Sequence, residues 1–171
     1  GYGRRDLSPL SDLDVLLLHN GVQDIESIAE ALWYPIWDQG ENLGHSVRTI
    51  TETLDLANED LDTATSLLSS RIIAGSQSLA DELAGLALEQ WKSKTKLWLP
   101  KLAASIHSRH RAKGEVAFML EPELKEGRGG LRDVHAMGWA NLNSQGPFEV
   151  EHHQLLECYE VILRARVELH K

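Results

Sequence analysis

Residues 12–18 read Asp12-Leu13-Asp14-Val15-Leu16-Leu17-Leu18. This short apolar run follows Ser-Pro turn chemistry at residues 8–9 and predicts a β-strand. Because strand side chains alternate between faces, Asp12 and Asp14 are expected on one face and Leu13 on the other. Two carboxylates about 7 Å apart along a strand repel each other unless a cation lies between them. The pair is therefore a candidate magnesium site, because carboxylate oxygens are ligands that Mg²⁺ prefers.

The segment upstream of this strand, Gly1-Tyr2-Gly3-Arg4-Arg5, is rich in glycine and arginine. Backbone N–H groups and guanidinium groups bind phosphate oxygens, so Gly1, Gly3 and Arg4 are predicted to contact a nucleoside triphosphate. An Asp-x-Asp pair alone is more often a solvated strand entry than a metal site. The glycine-rich turn, the ten-residue gap and the apolar strand together favour the metal site.

Most of the remaining chain has a helical pattern. Apolar residues at helical spacing predict helices over residues 22–37, 60–70, 79–92, 95–113 and 149–171, and a further helix capped by Thr51. Further strands are predicted at residues 44–50 and 115–120, and a glycine-rich turn at residues 127–130. Tryptophans are assigned to helix packing. The expected fold class is α+β, with a small sheet and a predominantly helical remainder.

Composition excludes several classes of protein. A formal net charge of -9 disfavours nucleic acid as a partner. No apolar run approaches the roughly 18 residues that span a bilayer, so no membrane partner is expected. The single cysteine, Cys158, cannot form an internal disulfide, which favours a cytoplasmic protein. Because the chain begins with Gly1 and ends inside a helical pattern, both ends are interpreted as truncated.

Several strings carry a family resemblance. Gly1, ten further residues and then Asp12-Leu13-Asp14 resemble the signature of the polymerase-beta-like nucleotidyltransferase superfamily. Residues 1–9, 11–14, 44–49 (Gly44-His45-Ser46-Val47-Arg48-Thr49) and 120–133 (Leu-Glu-Pro-Glu-Leu-Lys-Glu-Gly-Arg-Gly-Gly-Leu-Arg-Asp) resemble the bacterial PII uridylyltransferase family in order and spacing. The Gly-Gly-Leu-Arg-Asp string is also similar to glutamine synthetase adenylyltransferase.

The resemblance implies a palm-type small mixed sheet, with a nucleotidyltransferase domain over residues 1–143 and the start of a helical region over residues 144–171. It implies two Mg²⁺ ions held by Asp12, Asp14 and a distant third carboxylate, for which Asp133 is the candidate. Ser11 and Arg48, which lie in the shared strings, are implied nucleotide contacts. The implied reaction is transfer of UMP from UTP to a tyrosine of the nitrogen-regulatory protein PII, within a multifunctional enzyme whose other domains are not visible in this chain.

Several alternatives stay open. Asp133 also fits a helix N-cap after the glycine turn. The transferred nucleotide could be AMP, with a PII-type protein or glutamine synthetase as acceptor, or the chain could be a non-catalytic nucleotide-binding module. Lys125, Arg128 and Arg132 could contact phosphate or the acceptor protein, although such cations are usually solvated. His107 and His110 have helical spacing but form no complete metal-ligand set.

Overall fold

The computed structural model describes residues 2–8, 11–40, 42–142 and 152–170. The chain divides into two compact units, Gly1–Gln90 and Trp91–Lys171. The predicted boundary between a nucleotidyltransferase domain and a helical region, at residues 143–144, lies outside the described residues and stays a prediction. None of the described helices is both long and apolar enough to cross a membrane.

The first unit contains a small sheet and most of the shorter helices. In chain order its elements are a 3-10 turn (Tyr2–Arg4), β1 (Leu13–Leu18), α1 (Ile25–Trp37), β2 (Leu43–Arg48), α2 (Ile50–Glu59), α3 (Leu61–Leu67) and α4 (Gln77–Ser93), whose last residues enter the second unit. The predicted strands at residues 12–18 and 44–50 and the helix over residues 22–37 are therefore confirmed. Pro35 is accommodated inside α1.

The two strands pair in parallel, with Leu13 opposite Leu43 and Asp14 opposite Gly44. Parallel strands need a crossover connection, which α1 supplies. The predicted α+β class is confirmed, although the sheet formed by the described residues is parallel rather than mixed. Apart from Ser8, the buried side chains described in this unit come from α1, α2, α3 and α4, namely Ala29, Trp33, Thr53, Ala57, Ala64, Thr65, Leu67, Leu83 and Ala87.

Helix α2 is capped by Thr49, so the predicted cap at Thr51 is wrong. The Thr49 hydroxyl accepts a hydrogen bond from the Glu52 N–H at 3.3 Å, and the Glu52 carboxylate accepts one from the Thr49 N–H at 2.8 Å. This reciprocal capping box needs an acidic or amide residue three positions after the cap. Thr49 has Glu52 there, whereas Thr51 has Leu54. The bonds from the Thr49 backbone N–H and hydroxyl lower the pKa of Glu52.

The second unit is helical in its described part. It contains α5 (Thr95–Lys113), a 3-10 turn (Val116–Phe118), α6 (Leu131–Asn141) and α7 (His152–Leu169). Three tryptophans form its centre, as the packing assignment predicts. The Trp91 and Trp98 rings stack with centroids 5.8 Å apart, and the Trp91 indole N–H donates to the Trp139 carbonyl at 3.0 Å.

The predicted strand over residues 115–120 is wrong. Residues Val116–Phe118 form a 3-10 turn instead, and one isolated parallel bridge joins Glu115 to Arg128. The side chains of Phe118 and Leu120 are 84% and 104% exposed. The apolar composition is typical of a strand, but a strand needs a partner along its length, and the described residues supply only one bridge. Composition alone cannot reveal that absence.

Candidate active site

The predicted carboxylate pair lies at the start of the sheet. Asp14 is the second residue of β1, and Asp12 immediately precedes the strand. Both are exposed, whereas Leu13 and Val15 are half-buried, as strand alternation predicts. Among the residues that the structure describes, neither carboxylate has an ion-pair or hydrogen-bond partner. Their oxygens are therefore available to a hard cation such as Mg²⁺.

Strand β2 presents a residue without a side chain to this pair. Gly44 lies opposite Asp14 in the parallel register. A Cβ atom at position 44 would stand 2.5 Å from Oδ1 of Asp14. The Asp14 carboxylate thus occupies the space that a side chain at residue 44 would fill.

Aromatic contacts hold β2 against α1. The His45 ring lies 5.5 Å from the Trp33 ring and 5.1 Å from the Trp37 ring, centroid to centroid. Trp33 is only 5% exposed, so this contact anchors β2 to the buried face of α1. The position of Gly44, next in the chain to His45, is fixed as a result.

Arg48 does not lie beside the carboxylates. It is the last residue of β2 and pairs in register with Leu18. Four residues of strand separate it from Gly44, a distance of about 13 Å. A nucleotide bound at Asp14 would therefore have to extend along the sheet to meet the guanidinium group.

The predicted phosphate-binding segment is docked on the end of α3. A Cβ atom at Gly3 would collide with the carbonyl oxygen of Ser69, so only glycine permits this approach. The Arg71 guanidinium donates to the Tyr2 carbonyl at 3.2 Å and lies 4.6 Å from the Tyr2 ring centroid. Arg71 is not predictable from the sequence, because nothing in its local spacing signals this contact. Packing against Ser69 and Ser70, just after α3, therefore explains Gly3 without any ligand.

The remaining residues predicted to contact phosphate lie in different surroundings. Arg4 forms an ion pair with Asp6 at 3.5 Å. Ser11 is half-buried, and its N–H donates to the Ser8 carbonyl at 3.3 Å. Gly1 lies outside the described residues. The assignment of these residues to phosphate binding stays a prediction.

In the second unit, Asp133 sits at the centre of a charged cluster. Its Oδ1 accepts from Nη2 of Arg109 at 2.6 Å, and its Oδ2 accepts from the Gly129 N–H at 2.8 Å. Nε2 of His110 lies 2.9 Å from both oxygens. Arg109 also donates to the Glu126 carbonyl at 3.0 Å. These contacts tie the 123–130 turn to α5 and α6.

Asp133 is not the N-cap of α6. Gly130 occupies that position, and Asp133 is the third residue of the helix. Its carboxylate instead reaches back to the N–H of Gly129, just outside the helix. The glycine turn and the helix start were predicted correctly, but the acidic residue binds the turn from within the first helical turn. Negative charge there also interacts favourably with the helix dipole.

The basic residues around the turn have partners or face solvent. Nη2 of Arg132 lies 3.4 Å from Oε1 of Glu126. Arg128 pairs with Glu115 at 3.8 Å, although both side chains are largely exposed. Lys125 is exposed. Arg128 and Lys125 therefore face solvent largely as the alternative interpretation of these cations predicts.

The surroundings of Asp133 shift its acidity. Burial raises the pKa of the carboxyl group, but hydrogen bonds from the Gly129 N–H, His110 and Arg109, together with the Arg109 charge, outweigh burial. The pKa consequently lies below its ordinary value of 3.8. A depressed folded-state pKa stabilises the fold above the ordinary value, and this stabilisation is lost as pH falls through the folded-state value.

We predict that the stability difference between the wild type and Asp133→Asn shrinks as the pH falls below 3.8. Protonating the wild-type carboxyl group removes the charge that asparagine already lacks. Urea unfolding at a series of pH values measures the difference. Both proteins should carry His110→Gln, so that the imidazole facing the same carboxylate does not titrate. A difference that grows toward low pH would contradict the prediction.

Similarity to known proteins extends over the whole chain. Residues 100–171 match a family model described as GlnD PII-uridylyltransferase. The full chain is 41% identical, over 179 residues, to a bifunctional uridylyltransferase/uridylyl-removing enzyme of Mycobacterium tuberculosis (strain CDC 1551 / Oshkosh). Along its whole length, the chain is similar to PII-uridylyltransferases.

Other relatives with the same printed name agree. The identity is 45% over 80% of the chain with the Streptomyces coelicolor protein, and 32% over 99% of the chain with the Nitrobacter hamburgensis protein. The chain spans about a fifth of the length of these relatives, 22%, 17% and 20% respectively. No solved structure gives a significant match.

The family match does not by itself establish the metal site. Within the described residues, no group of three or more His, Cys, Asp or Glu side chains is arranged to hold a metal ion. Asp12 and Asp14 belong to the first compact unit and Asp133 to the second. The three carboxylates are thus divided between two units. Their convergence around metal ions stays a prediction. The open oxygens of Asp12 and Asp14 fit a cation, whereas Asp133 already accepts hydrogen bonds on both oxygens.

Proposed function

We propose that this chain forms the nucleotidyltransferase part of a uridylyltransferase that modifies PII. The observation that carries the proposal is the exposed Asp12–Asp14 pair at the start of β1, which has no ion-pair or hydrogen-bond partner among the described residues. The chain is also related along its whole length to enzymes named uridylyltransferase. The proposed substrate is UTP, and the acceptor is a tyrosine hydroxyl of PII. We place the reaction in the cytoplasm, as the single cysteine favours.

The reaction is an in-line displacement at phosphorus. The tyrosine oxygen forms a bond to the α-phosphorus of UTP while the bond from that phosphorus to the departing pyrophosphate oxygen breaks. The tyrosine hydroxyl loses its proton to solvent as the ester bond forms. Bound Mg²⁺ ions would stabilise negative charge on the triphosphate and on the attacking and leaving oxygens. Asp12 and Asp14 would hold these ions and orient the triphosphate.

The neighbouring segments would bind the rest of the nucleotide. Gly1, Gly3 and Arg4 would face the phosphates, Ser11 would lie beside the carboxylates, and Arg48 would meet the nucleotide further along β2. The docking of residues 2–4 on α3 supports this proposal, because a preformed loop loses little conformational entropy when it binds phosphate. Arg4 would exchange its pairing with Asp6 for a phosphate contact.

Asp133 would serve as the third metal-binding carboxylate on the attacking side. Its present contacts with Arg109, His110 and Gly129 give it a second role as the clamp of the glycine turn. Binding a cation would require one carboxylate oxygen to exchange its hydrogen bonds for the ion. Substitution of Arg109 separates the two roles, because it removes a hydrogen-bond donor and leaves the carboxylate in place.

Labelling distinguishes the proposal from its alternatives. The full-length protein is incubated with UTP or ATP labelled at the α-phosphate, together with PII or glutamine synthetase. We expect label from UTP on PII, and no labelling when EDTA is present during the incubation. Label from ATP on either acceptor would indicate an adenylyltransferase. A protein that binds nucleotide but labels neither acceptor would be the non-catalytic module.

A further inference from the structure

We infer that Gly44 is a positioning residue for the carboxylate of Asp14, an inference that rests on the proposed function of the Asp12–Asp14 pair. The two residues are direct partners across the parallel sheet. A Cβ atom at residue 44 would lie 2.5 Å from Oδ1 of Asp14 and 3.6 Å from its Cγ. The absence of a side chain at position 44 therefore leaves the space in which this oxygen stands.

Backbone conformation does not explain the glycine. Gly44 is absent from the described glycines that have a positive φ, and it lies inside β2, where any residue adopts the extended conformation. The next nearest atom to a Cβ at this position is the Leu13 carbonyl oxygen, at an ordinary 3.6 Å. Steric conflict with the Asp14 oxygen is thus the specific reason for glycine.

The strand cannot relieve this conflict by moving away. His45 contacts the rings of Trp33 and Trp37, and Trp33 is buried in the first unit. The Asp14 side chain is exposed and makes no ion pair in the described part of the chain. An alanine at position 44 would therefore displace the carboxylate rather than the sheet, at little cost to folding.

The displacement is large on the scale of metal coordination. Moving Oδ1 from 2.5 Å to an ordinary contact of at least 3.4 Å requires a shift of about 0.9 Å. Metal–ligand distances tolerate about 0.2 Å. Misplacing a reacting group by about 1 Å can lower the rate by roughly a hundredfold. Gly44 would therefore determine whether Asp14 can share a cation with Asp12.

The test is Gly44→Ala in the full-length protein, with Mn²⁺ as the probe of metal binding. We expect Mn²⁺ affinity, measured by electron paramagnetic resonance, to fall by about 10- to 100-fold. The Mg²⁺ concentration that gives half-maximal transfer should rise by a similar factor. Thermal unfolding should stay close to that of the wild type. Unchanged Mn²⁺ affinity, or a variant that fails to fold, would overturn the inference.

The matched control is Gly85→Ala, because a Cβ at the exposed Gly85 of α4 would meet no atom within 4 Å. This variant should bind Mn²⁺ as the wild type does. A second comparison adds Gly44→Ala to Asp14→Asn. If Gly44 acts through the Asp14 carboxylate, the double variant binds Mn²⁺ no more weakly than Asp14→Asn alone. A further loss would show that alanine distorts β2 and would contradict the inference.

The outcomes also separate this inference from the proposed function. A wild-type protein that transfers no nucleotide would refute the proposed function. A wild-type protein that transfers UMP, paired with a Gly44→Ala variant of normal metal dependence, would refute only the role of Gly44.

Discussion

We expect the replacement of Asp12 or Asp14 with asparagine to abolish nucleotidyl transfer, lowering its rate by roughly a thousandfold or more. An amide keeps the size of the carboxyl group but loses the negative charge that binds a cation. Folding stays close to that of the wild type, because both side chains are exposed and have no ion-pair partner in the described ranges. Transfer of labelled UMP and thermal unfolding of the full-length protein measure the two effects.

Asp55→Asn is the matched control for this prediction. Asp55 is an exposed aspartate of α2 in the same compact unit, so its substitution tests the loss of one surface charge. Its transfer rate should equal that of the wild type. Near-normal turnover in Asp12→Asn or Asp14→Asn would refute their role in metal binding, whereas unfolding of either variant would contradict their placement at an exposed strand end.

We expect Asp133→Ala to destabilise the second unit by about 1.5 to 3 kcal/mol, the range for hydrogen bonds to charged groups. The substitution removes the acceptor of the Arg109, His110 and Gly129 contacts. The Arg109 side chain is only 12% exposed, so it loses a partner that water replaces poorly. The Asp133 side chain is itself 20% exposed, which keeps the loss below that of a fully buried pair. Urea unfolding measures the change.

Glu160→Ala provides a contrasting control for the clamp. Glu160 pairs with Arg164 at 3.2 Å, but both side chains are mostly exposed, so the loss should stay within about 0.5 kcal/mol. If Asp133→Ala is as mild as Glu160→Ala, the cluster does not hold the glycine turn. Faster proteolysis within residues 123–130 of the Asp133→Ala variant would support the clamp.

Arg109→Met separates the structural role of Asp133 from the proposed metal role. This variant should reproduce much of the stability loss, because it removes the shortest bond to the carboxylate. It leaves the carboxylate in place, so Mn²⁺ binding should be retained. Asp133→Ala should lose both stability and Mn²⁺ affinity. Normal Mn²⁺ affinity in Asp133→Ala would leave Asp133 as a clamp only.

Local patterns predicted much of the fold. Alternation identified β1 and the outward direction of Asp14, and helical spacing identified α1, because both depend only on the repeat of the backbone. The prediction of a strand at residues 115–120 was wrong, because strand pairing depends on a distant partner. The cap of α2 was misplaced by two residues, although the Thr49–Glu52 spacing was visible in the sequence.

In the candidate site too, some features were predictable from the sequence and others were not. The Asp-x-Asp pair and the glycine turn before Asp133 were predictable, since each is a short string with a local geometric consequence. Arg71 and Arg109 were not, because their contacts join residues 69 and 24 positions apart in the chain. His110 belongs to no complete metal-ligand set in the sequence, and only the structure shows that it faces Asp133.

The sequence by itself determined the fold class, the family resemblance and the direction of the two strand carboxylates. Only the tertiary structure decided that Gly44 faces Asp14 and that Arg109 holds Asp133. Backbone periodicity is written into neighbouring residues, whereas a steric gap or an ion pair exists only after distant segments have packed together.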